Sequence, residues 1–150
     1  MKLSHILVNL SYLDYLFRLL HQSGGHVGPI TQGVAAEICA AAGSNDVALL
    51  EGWYLAGIDL SVRNATGRTP LHEAVCALRK EAVDYLLSHD INTEITDNLG
   101  KTALENAMEL EQTFSTCKQD NVEKKAILIR SIRNSLEKHE VLRNGMRVKA

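Results

Sequence analysis

Hydrophobic positions recur along this chain at helical spacings, and part of the pattern repeats about every 33 residues. Gly67 and Gly100 stand one such period apart, and so do Leu71 and Leu104. The same register extends backwards, so that the repeating pattern covers roughly positions 34 to 107. Within a period the apolar residues fall into two short stripes, which predict two amphipathic helices. Self-similarity of this kind is typical of architectures in which identical units stack on one another.

Local signals mark where these helices begin. Thr69 is a good N-cap, and Pro70 follows at the first helical position, where its missing N–H costs nothing. The next repeat starts its helix differently, because Thr102 and Glu105 form a T-x-x-E capping box. A glycine precedes each start and supplies a turn in which positive φ is cheap. The second helix of the middle repeat is predicted near Lys80 to Ser88.

Residues 69–74 read Thr-Pro-Leu-His-Glu-Ala, which resembles the T-P-L-H-x-A signature of the ankyrin family at its repeat length. The resemblance covers about half of the chain. It implies an all-α fold, a short ankyrin-repeat solenoid of about two and a half repeats with extra N- and C-terminal helices. The resemblance implies a structural role for His72, which would hydrogen-bond to the backbone near Thr69 and to the neighbouring repeat. The resemblance implies structural roles for Gly67, Thr69, Pro70, Leu71, His72, Ala74, Gly100, Thr102, Leu104 and Ala107.

The chain also departs from the ankyrin pattern. Leu78 stands where the family usually has a glycine between the two helices, and residues 90–91 replace the usual Gly-Ala after the second helix. A non-glycine residue at positive φ costs about 1 kcal/mol, so we expect a weakened middle repeat. His72 is replaced by Cys39 in the preceding repeat and by Glu105 in the following one.

Three segments are predicted along the chain. Residues 1–30 hold a leucine-rich amphipathic helix and a Gly-rich linker, and polar residues interrupt the apolar run. No small-residue cleavage site follows this run, so we expect neither a signal peptide nor a membrane span. Residues 31–112 form the ankyrin repeats. Residues 121–145 are predicted to form one long helix that ends at Gly145 and caps the last repeat.

A narrower resemblance concerns residues 37–60, where Trp53 is followed by Ala-Gly-Ile-Asp-Leu at 56–60. This segment is similar to an ankyrin repeat in the C-terminal region of asparaginase-type lysophospholipases, in which an amidohydrolase domain precedes the repeats. Glutaminases and some plant potassium channels also carry such repeats and are less close. The Thr-Asp-Gly catalytic motif of the lysophospholipases is absent, and residues 96–98 read Thr-Asp-Asn at a repeat junction. An alternative interpretation is therefore that the chain is the truncated C-terminal ankyrin region of such an enzyme and lacks the enzyme's catalytic domain.

The ankyrin resemblance implies a protein–protein interaction module, because solenoids use the concave face of turns and first helices for recognition. Its partner would be another protein of unknown identity, with a parent or related enzyme as one option. The candidate contact residues are Arg63, Asn64, Thr66, Arg68, Glu73, Ala77, Asp97, Asn98 and Lys101. The simpler interpretation is that these polar turns are only solvated. Trp53 occupies a core register, so burial is expected, and anchoring a neighbouring domain is the alternative.

The net charge, the cysteines and the absence of catalytic motifs mainly exclude classes of function. The net charge of -2 provides no basic excess for a nucleic-acid partner. Cys39, Cys76 and Cys117 are odd in number and far apart, which indicates reduced thiols and a cytoplasmic protein. Cys39, His72 and Cys76 lack a fourth zinc ligand at a usual spacing, and no nucleophile elbow or P-loop occurs. We therefore expect no catalytic residue, no metal site and no cofactor.

The predicted C-terminal helix is basic over residues 124–143. Such a helix is compatible with an anionic membrane surface or a calmodulin-like partner. Glu123, Glu137 and Glu140 dilute its charge, which favours a solvated capping helix and no membrane contact.

Overall fold

The computed structural model describes residues 32–89, 91–115 and 122–148, which form six α-helices and no strand. The helices are α1 Gln32–Gly43, α2 Val47–Leu55, α3 Pro70–Cys76, α4 Lys80–Ser88, α5 Ala103–Ser115 and α6 Val122–Val148. The predicted all-α repeat fold is confirmed. The helix and linker predicted for residues 1–30, and the thiol of Cys117, lie outside the described residues.

The six helices form three pairs that stack in two layers. Within the pairs, α1 packs on α2, α3 on α4, and α5 on α6. In the layer of first helices α3 lies between α1 and α5, and in the layer of second helices α4 contacts both α2 and α6. Each repeat therefore buries its apolar surface against its neighbours, and its stability depends on them.

A continuous apolar core separates the two layers. Trp53 and Leu50 of α2 are fully buried in it, together with Leu71 of α3 and Leu86 of α4. Full burial of a large apolar side chain stabilises the fold by about 1.5–3 kcal/mol. Trp53 thus lies inside the first repeat, as its core register predicted, and not on the surface where it would anchor a neighbouring domain.

The connections between helices use positive φ at equivalent positions. Leu78 joins α3 to α4 with a φ of 58°, and Asn45, its equivalent in the preceding repeat, joins α1 to α2 with a φ of 63°. Gly67 and Gly100 have φ values of 74° and 76° in the turns between repeats. For a leucine the left-handed conformation costs roughly 1–2 kcal/mol. The departure from glycine at Leu78 therefore strains the middle repeat.

Helix α6 takes the place of a short second helix but has 27 residues, against 9 in α4. Ile129, Ile132 and Leu136 form its buried side. The predicted end at Gly145 was wrong, because α6 continues to Val148. A glycine weakens a helix by only about 1 kcal/mol, and the methionine and arginine that follow it favour the helical state.

Helix α5 is also longer than the first helix of the middle repeat, because it has 13 residues, against 7 in α3, and runs to Ser115. Its Glu111 pairs with Arg133 of α6 at 2.7 Å and with Arg130 at 3.2 Å. These ion pairs join the acidic last turns of α5 to the basic helix α6, beside the apolar contact that Ile132 and Leu136 make with the core.

Candidate protein-binding surface

The turn between the first two repeats, residues 63–68, is closed by Asn64 and is called tip 1 here. The N–H of Asn64 donates to the carbonyl of Arg68 at 2.9 Å, and the N–H of Gly67 donates to the carbonyl of Asn64 at 2.9 Å. The Oδ1 atom of Asn64 accepts the N–H groups of Thr66 and Arg68, both at 3.0 Å. The side chain of Asn64 thus shapes the loop from inside, while Thr66 faces solvent.

The next turn, residues 96–101, repeats this geometry around Asp97 and is called tip 2. Asp97 Oδ1 accepts the N–H groups of Leu99 at 2.8 Å and Lys101 at 3.1 Å. Asn106 donates to the other carboxylate oxygen at 3.5 Å. Burial raises the pKa of Asp97, but the N–H donors of Lys101 and Leu99 outweigh it and hold that pKa below its usual value. Asp97 is only 4% exposed, so its carboxylate serves the loop.

The two tips are joined to each other by hydrogen bonds between equivalent repeats. The guanidinium Nη2 of Arg63 donates to the carbonyl of Thr96 at 3.0 Å. The N–H of Asn98 donates to the carbonyl of Thr66 at 3.1 Å, and its side-chain amide donates to the carbonyl of Ala65 at 3.2 Å. The tips therefore form one preorganised unit, which reduces the entropy that a partner would have to remove on binding.

The helices beneath the tips begin as the local sequence indicates. Thr69 is the N-cap of α3, and Pro70 stands at the start of the helix. In the following repeat the N–H of Thr102 donates to the Glu105 carboxylate at 2.7 Å, and the N–H of Glu105 donates to Thr102 Oγ1 at 3.3 Å. Of the motif residues on these helices, Leu71, Ala74 and Ala107 are buried and Leu104 is partly buried.

His72 lies beneath the tips and links the two repeats. Its Nδ1 accepts the N–H of Thr69 at 3.2 Å, and its Nε2 lies 3.0 Å from the carbonyl of Lys101. Because Lys101 offers only an acceptor there, Nε2 carries the proton and the ring is neutral. Burial lowers the pKa of His72, although the Lys101 carbonyl opposes this effect. His72 is 1% exposed, so no solute reaches its ring nitrogens.

The charged candidates on this surface are largely paired. Glu73 accepts the side-chain amide of Asn64 at 3.2 Å and lies 3.9 Å from the guanidinium of Arg68. Lys101 pairs with Glu109 of α5 at 2.6 Å. Ala77, at the end of α3, is exposed. The surface therefore has little net charge to select a partner, and its neutral exposed groups become more important.

Sequence reasoning missed two exposed apolar side chains in this region. Leu99 at the apex of tip 2 is 75% exposed, although Asn98 and Gly100 on either side are typical turn residues. Met108 of α5 is also exposed, whereas Val75, its equivalent in the preceding repeat, is buried. The sequence could have indicated that Leu99 is exposed, because Leu99 is an apolar residue between two typical turn residues. Met108 is exposed because α5 belongs to the last helix pair that the structure describes, whereas Val75 is covered by the next repeat. The repeat pattern alone does not show where the stack ends.

The cysteines of the described residues are not arranged for reactivity. Cys39 is buried, and burial raises the pKa of its thiol to about 12. Burial also raises the pKa of the half-buried Cys76. Both sulfurs therefore stay protonated at neutral pH, whereas the thiolate is the nucleophile and the metal ligand. Within the described ranges, no three His, Cys, Asp or Glu side chains come together as a possible metal site.

An open cleft of about 430 Å³ lies between α5 and α6. Met108, Glu111, Gln112, Ser115 and Arg133 line it. Glu111 and Arg133 neutralise each other across the cleft, so it presents no free charge for a substrate.

Comparison with known proteins gives one family match and two partial relatives. A family model for ankyrin repeats in three copies matches residues 37–119. An L-asparaginase of Dirofilaria immitis is 30% identical over 95 residues, which are 63% of this chain and 16% of that protein. Potassium channel AKT2/3 of Arabidopsis thaliana is 30% identical over 95 residues, or 63% of this chain and 12% of the channel. The chain thus corresponds to a small part of each relative, and the two are equally similar in identity.

None of the helices in the described part of the chain is long and apolar enough to span a membrane.

Proposed function

The chain belongs to the ankyrin-repeat family, and from this membership we propose that it binds another protein and carries out no catalysis of its own. The observation that supports this most directly is Leu99, which is 75% exposed at the apex of a loop held by hydrogen bonds. An apolar side chain on a rigid, preorganised loop is suited to enter a pocket of a partner. The tips and the first helix beneath them form the proposed contact surface.

Within this surface the proposed roles differ between residues. Thr66, Asn98 and Ala77 are exposed and are proposed to touch the partner together with Leu99. Arg63, Asn64 and Asp97 are proposed to act mainly by holding the tips in shape, because their side chains bind loop backbone. Arg68, Glu73 and Lys101 are proposed to add polar contacts at the edge of the surface. Such rim charges affect the rate of association more than the affinity.

Two exposed leucines allow a matched test of this surface. Leu99→Glu places a charge on tip 2, and Leu55→Glu places the same charge on α2, where Leu55 is 76% exposed. Proteins captured by the wild-type chain are compared with those captured by each variant, and the binding of a purified captured protein is then measured by calorimetry. A partner retained by Leu55→Glu and lost by Leu99→Glu supports the proposal. A partner that binds both variants equally well would refute it.

A second candidate is that the chain represents the ankyrin region of an asparaginase-like enzyme. The match to the L-asparaginase of Dirofilaria immitis favours it. A parent or related enzyme would then be the partner. The intact mass of the endogenous protein, captured with an antibody against residues 64–104, tests this idea. A mass near 16.5 kDa supports a free-standing module, and a much heavier species with a catalytic segment supports the enzyme region.

Catalysis and location have their own tests. We expect the purified chain to hydrolyse neither asparagine nor a lysophospholipid, and turnover of either substrate would contradict the non-catalytic assignment. The free thiols of Cys39 and Cys76 fit the reducing cytoplasm that we propose as its location. Cell fractionation, with both thiols titrated in the captured protein, checks that location.

A further inference from the structure

Helix α6 exposes apolar side chains where an end cap is expected to be polar. Ile127 is 66% exposed and Val141 is 71% exposed, and Leu142 and Met146 are also exposed. A terminal element of a solenoid normally turns a polar outer face to water, because no further unit covers it. The outer face of α6 departs from this rule over a length of several turns.

Three exposed residues of this face share a spacing of seven. Ile127, Asn134 and Val141 are all exposed and follow one another at seven-residue intervals. At about 100° per residue, seven residues fall within roughly 20° of two full turns, so these side chains lie along one line of the helix. Leu136, which is buried, lies about 200° from Asn134 on the opposite side. Apolar residues at seven-residue spacing, with a single Asn among them, occur along the seam of paired helices, and Ile127, Asn134 and Val141 have this pattern.

We propose that the outer face of α6 binds the same face of a second copy of this chain, with the two helices antiparallel. A two-fold axis then passes beside Asn134, because Ile127 and Val141 are each seven residues from it. Ile127 of one copy meets Val141 of the other at both ends of the contact, and Asn134 meets Asn134 in the middle. Self-complementarity of this kind is what an isologous two-fold interface requires.

The charges beside this line favour the antiparallel direction. Arg130 and Glu137 are also seven residues apart and lie on one flank of the face. In an antiparallel pair the same flanks meet, so Arg130 of each copy lies beside Glu137 of the other. In a parallel pair opposite flanks would meet, and Arg130 would face the flank that carries Lys124 and Lys138, where it finds no acidic partner. Within the chain these groups pair with Glu111 and Arg133, yet their side chains remain 62% and 48% exposed.

A second copy fits this face better than an anionic bilayer does. Lys124 and Lys138 are exposed near the apolar residues and would suit acidic lipid headgroups. However, Asn134 lies in the middle of the line and Glu137 on its flank, where a helix at a bilayer surface needs apolar and basic residues. In the antiparallel pair the same two residues find their partners in the second copy.

The interface is small, because one helix meets one helix. Its buried area falls below the roughly 1,600 Å² of a standard stable interface, so the association is expected to be weak and concentration-dependent. Sedimentation of the full chain should therefore show an average mass that rises from 16.5 kDa toward twice that value as the protein is concentrated.

Cysteine cross-linking tests the direction of pairing in the full chain, with Cys117→Ser as the background. Asn134→Cys places two sulfurs beside the two-fold axis, so oxidation should form a covalent dimer. Val141→Cys is the matched control, because its two copies would be about 21 Å apart along an antiparallel pair, too far for a disulfide. Equal cross-linking of both variants, or of neither, overturns the proposal.

The sedimentation series is repeated with the double variant Ile127→Glu and Val141→Glu, whose positions are exposed enough to keep the fold. Its mass should stay at the monomer value, while Leu55→Glu, an equally exposed site on α2, should associate like wild type. Circular dichroism confirms that each variant is folded. A wild-type mass that stays constant with concentration overturns the proposal. The proposal is also overturned if the wild-type mass stays constant while the wild-type protein floats with phosphatidylserine vesicles and the double variant does not. That result would identify the outer face of α6 as a membrane-binding face.

Discussion

The side-chain amide of Asn45, in the first repeat, caps a helix of the second repeat. Its Oδ1 accepts the N–H of Ala82, in the first turn of α4, at 3.1 Å. Arg79, at the N-cap position of α4, makes no side-chain hydrogen bond to that turn. The amide nitrogen of Asn45 also donates to Glu81 at 3.1 Å. The first repeat thus supplies the cap that the second repeat lacks, and the Asn45 side chain couples the two.

Asn45→Ala should lower the free energy of unfolding by about 2 kcal/mol. The loss has two parts, since removal of a cap costs roughly 0.5–2 kcal/mol and asparagine tolerates its φ of 63° better than alanine. Asn45→Gly is the matched control, because it keeps the conformation and removes only the cap, so it should cost about 1 kcal/mol. Urea unfolding measures both variants. Wild-type stability in both would show that the cap contributes nothing.

Gly67→Ala should destabilise the protein much more than Gly100→Ala. Both glycines have nearly the same positive φ, 74° and 76°. A Cβ at position 67 would also come within 2.8 Å of the Arg63 guanidinium and 2.9 Å of the backbone nitrogen of Asn98, whereas a Cβ at position 100 meets nothing. We expect losses of about 3 and about 1 kcal/mol, respectively, in the free energy of unfolding. Equal losses would mean that the two tips are not held together as described.

Stability should fall on acidification in a way that depends on His72. Its folded pKa is lowered from 6.5, mainly by burial, so the unfolded chain binds the proton more readily. The contribution of the neutral ring is complete above pH 6.5 and is lost as the pH falls through the folded pKa. His72→Gln removes this titration and should flatten the decline of the unfolding free energy below pH 6.5. Parallel pH profiles for wild type and variant would exclude His72 as a source of the acid sensitivity.

Two isoleucines of α6 allow its packing side and its outer face to be tested separately, because Ile132 is buried and Ile127 is exposed. Ile132→Ala should lower the free energy of unfolding by about 2–4 kcal/mol, because Ile132 is fully buried against the last repeat. Ile127→Ala on the exposed side should change it by less than about 0.5 kcal/mol. Thermal and urea unfolding at low protein concentration measure both. A small effect of Ile132→Ala would show that α6 does not cap the stack.

Much of the fold follows from features that residues close in sequence create. The repeat period, the start of α3 at Thr69 and Pro70, and the range of α4 were all visible in the sequence. The positive φ of Leu78 was also predictable, because the repeat register places Leu78 at the turn where the family usually has a glycine. N-caps and turns depend on hydrogen bonds and dihedral angles within a few residues, and local sequence determines these directly.

The candidate surfaces depended on contacts between repeats. The sequence alone determined that this chain is a stack of ankyrin repeats and where its turns and helices begin. Only the tertiary structure decided that Arg63 reaches Thr96, that Asn45 caps α4, and that Leu99 and Ile127 face outward. These relationships join residues of different repeats or depend on which face a neighbour covers. They arise from how adjacent repeats stack, which no local pattern specifies.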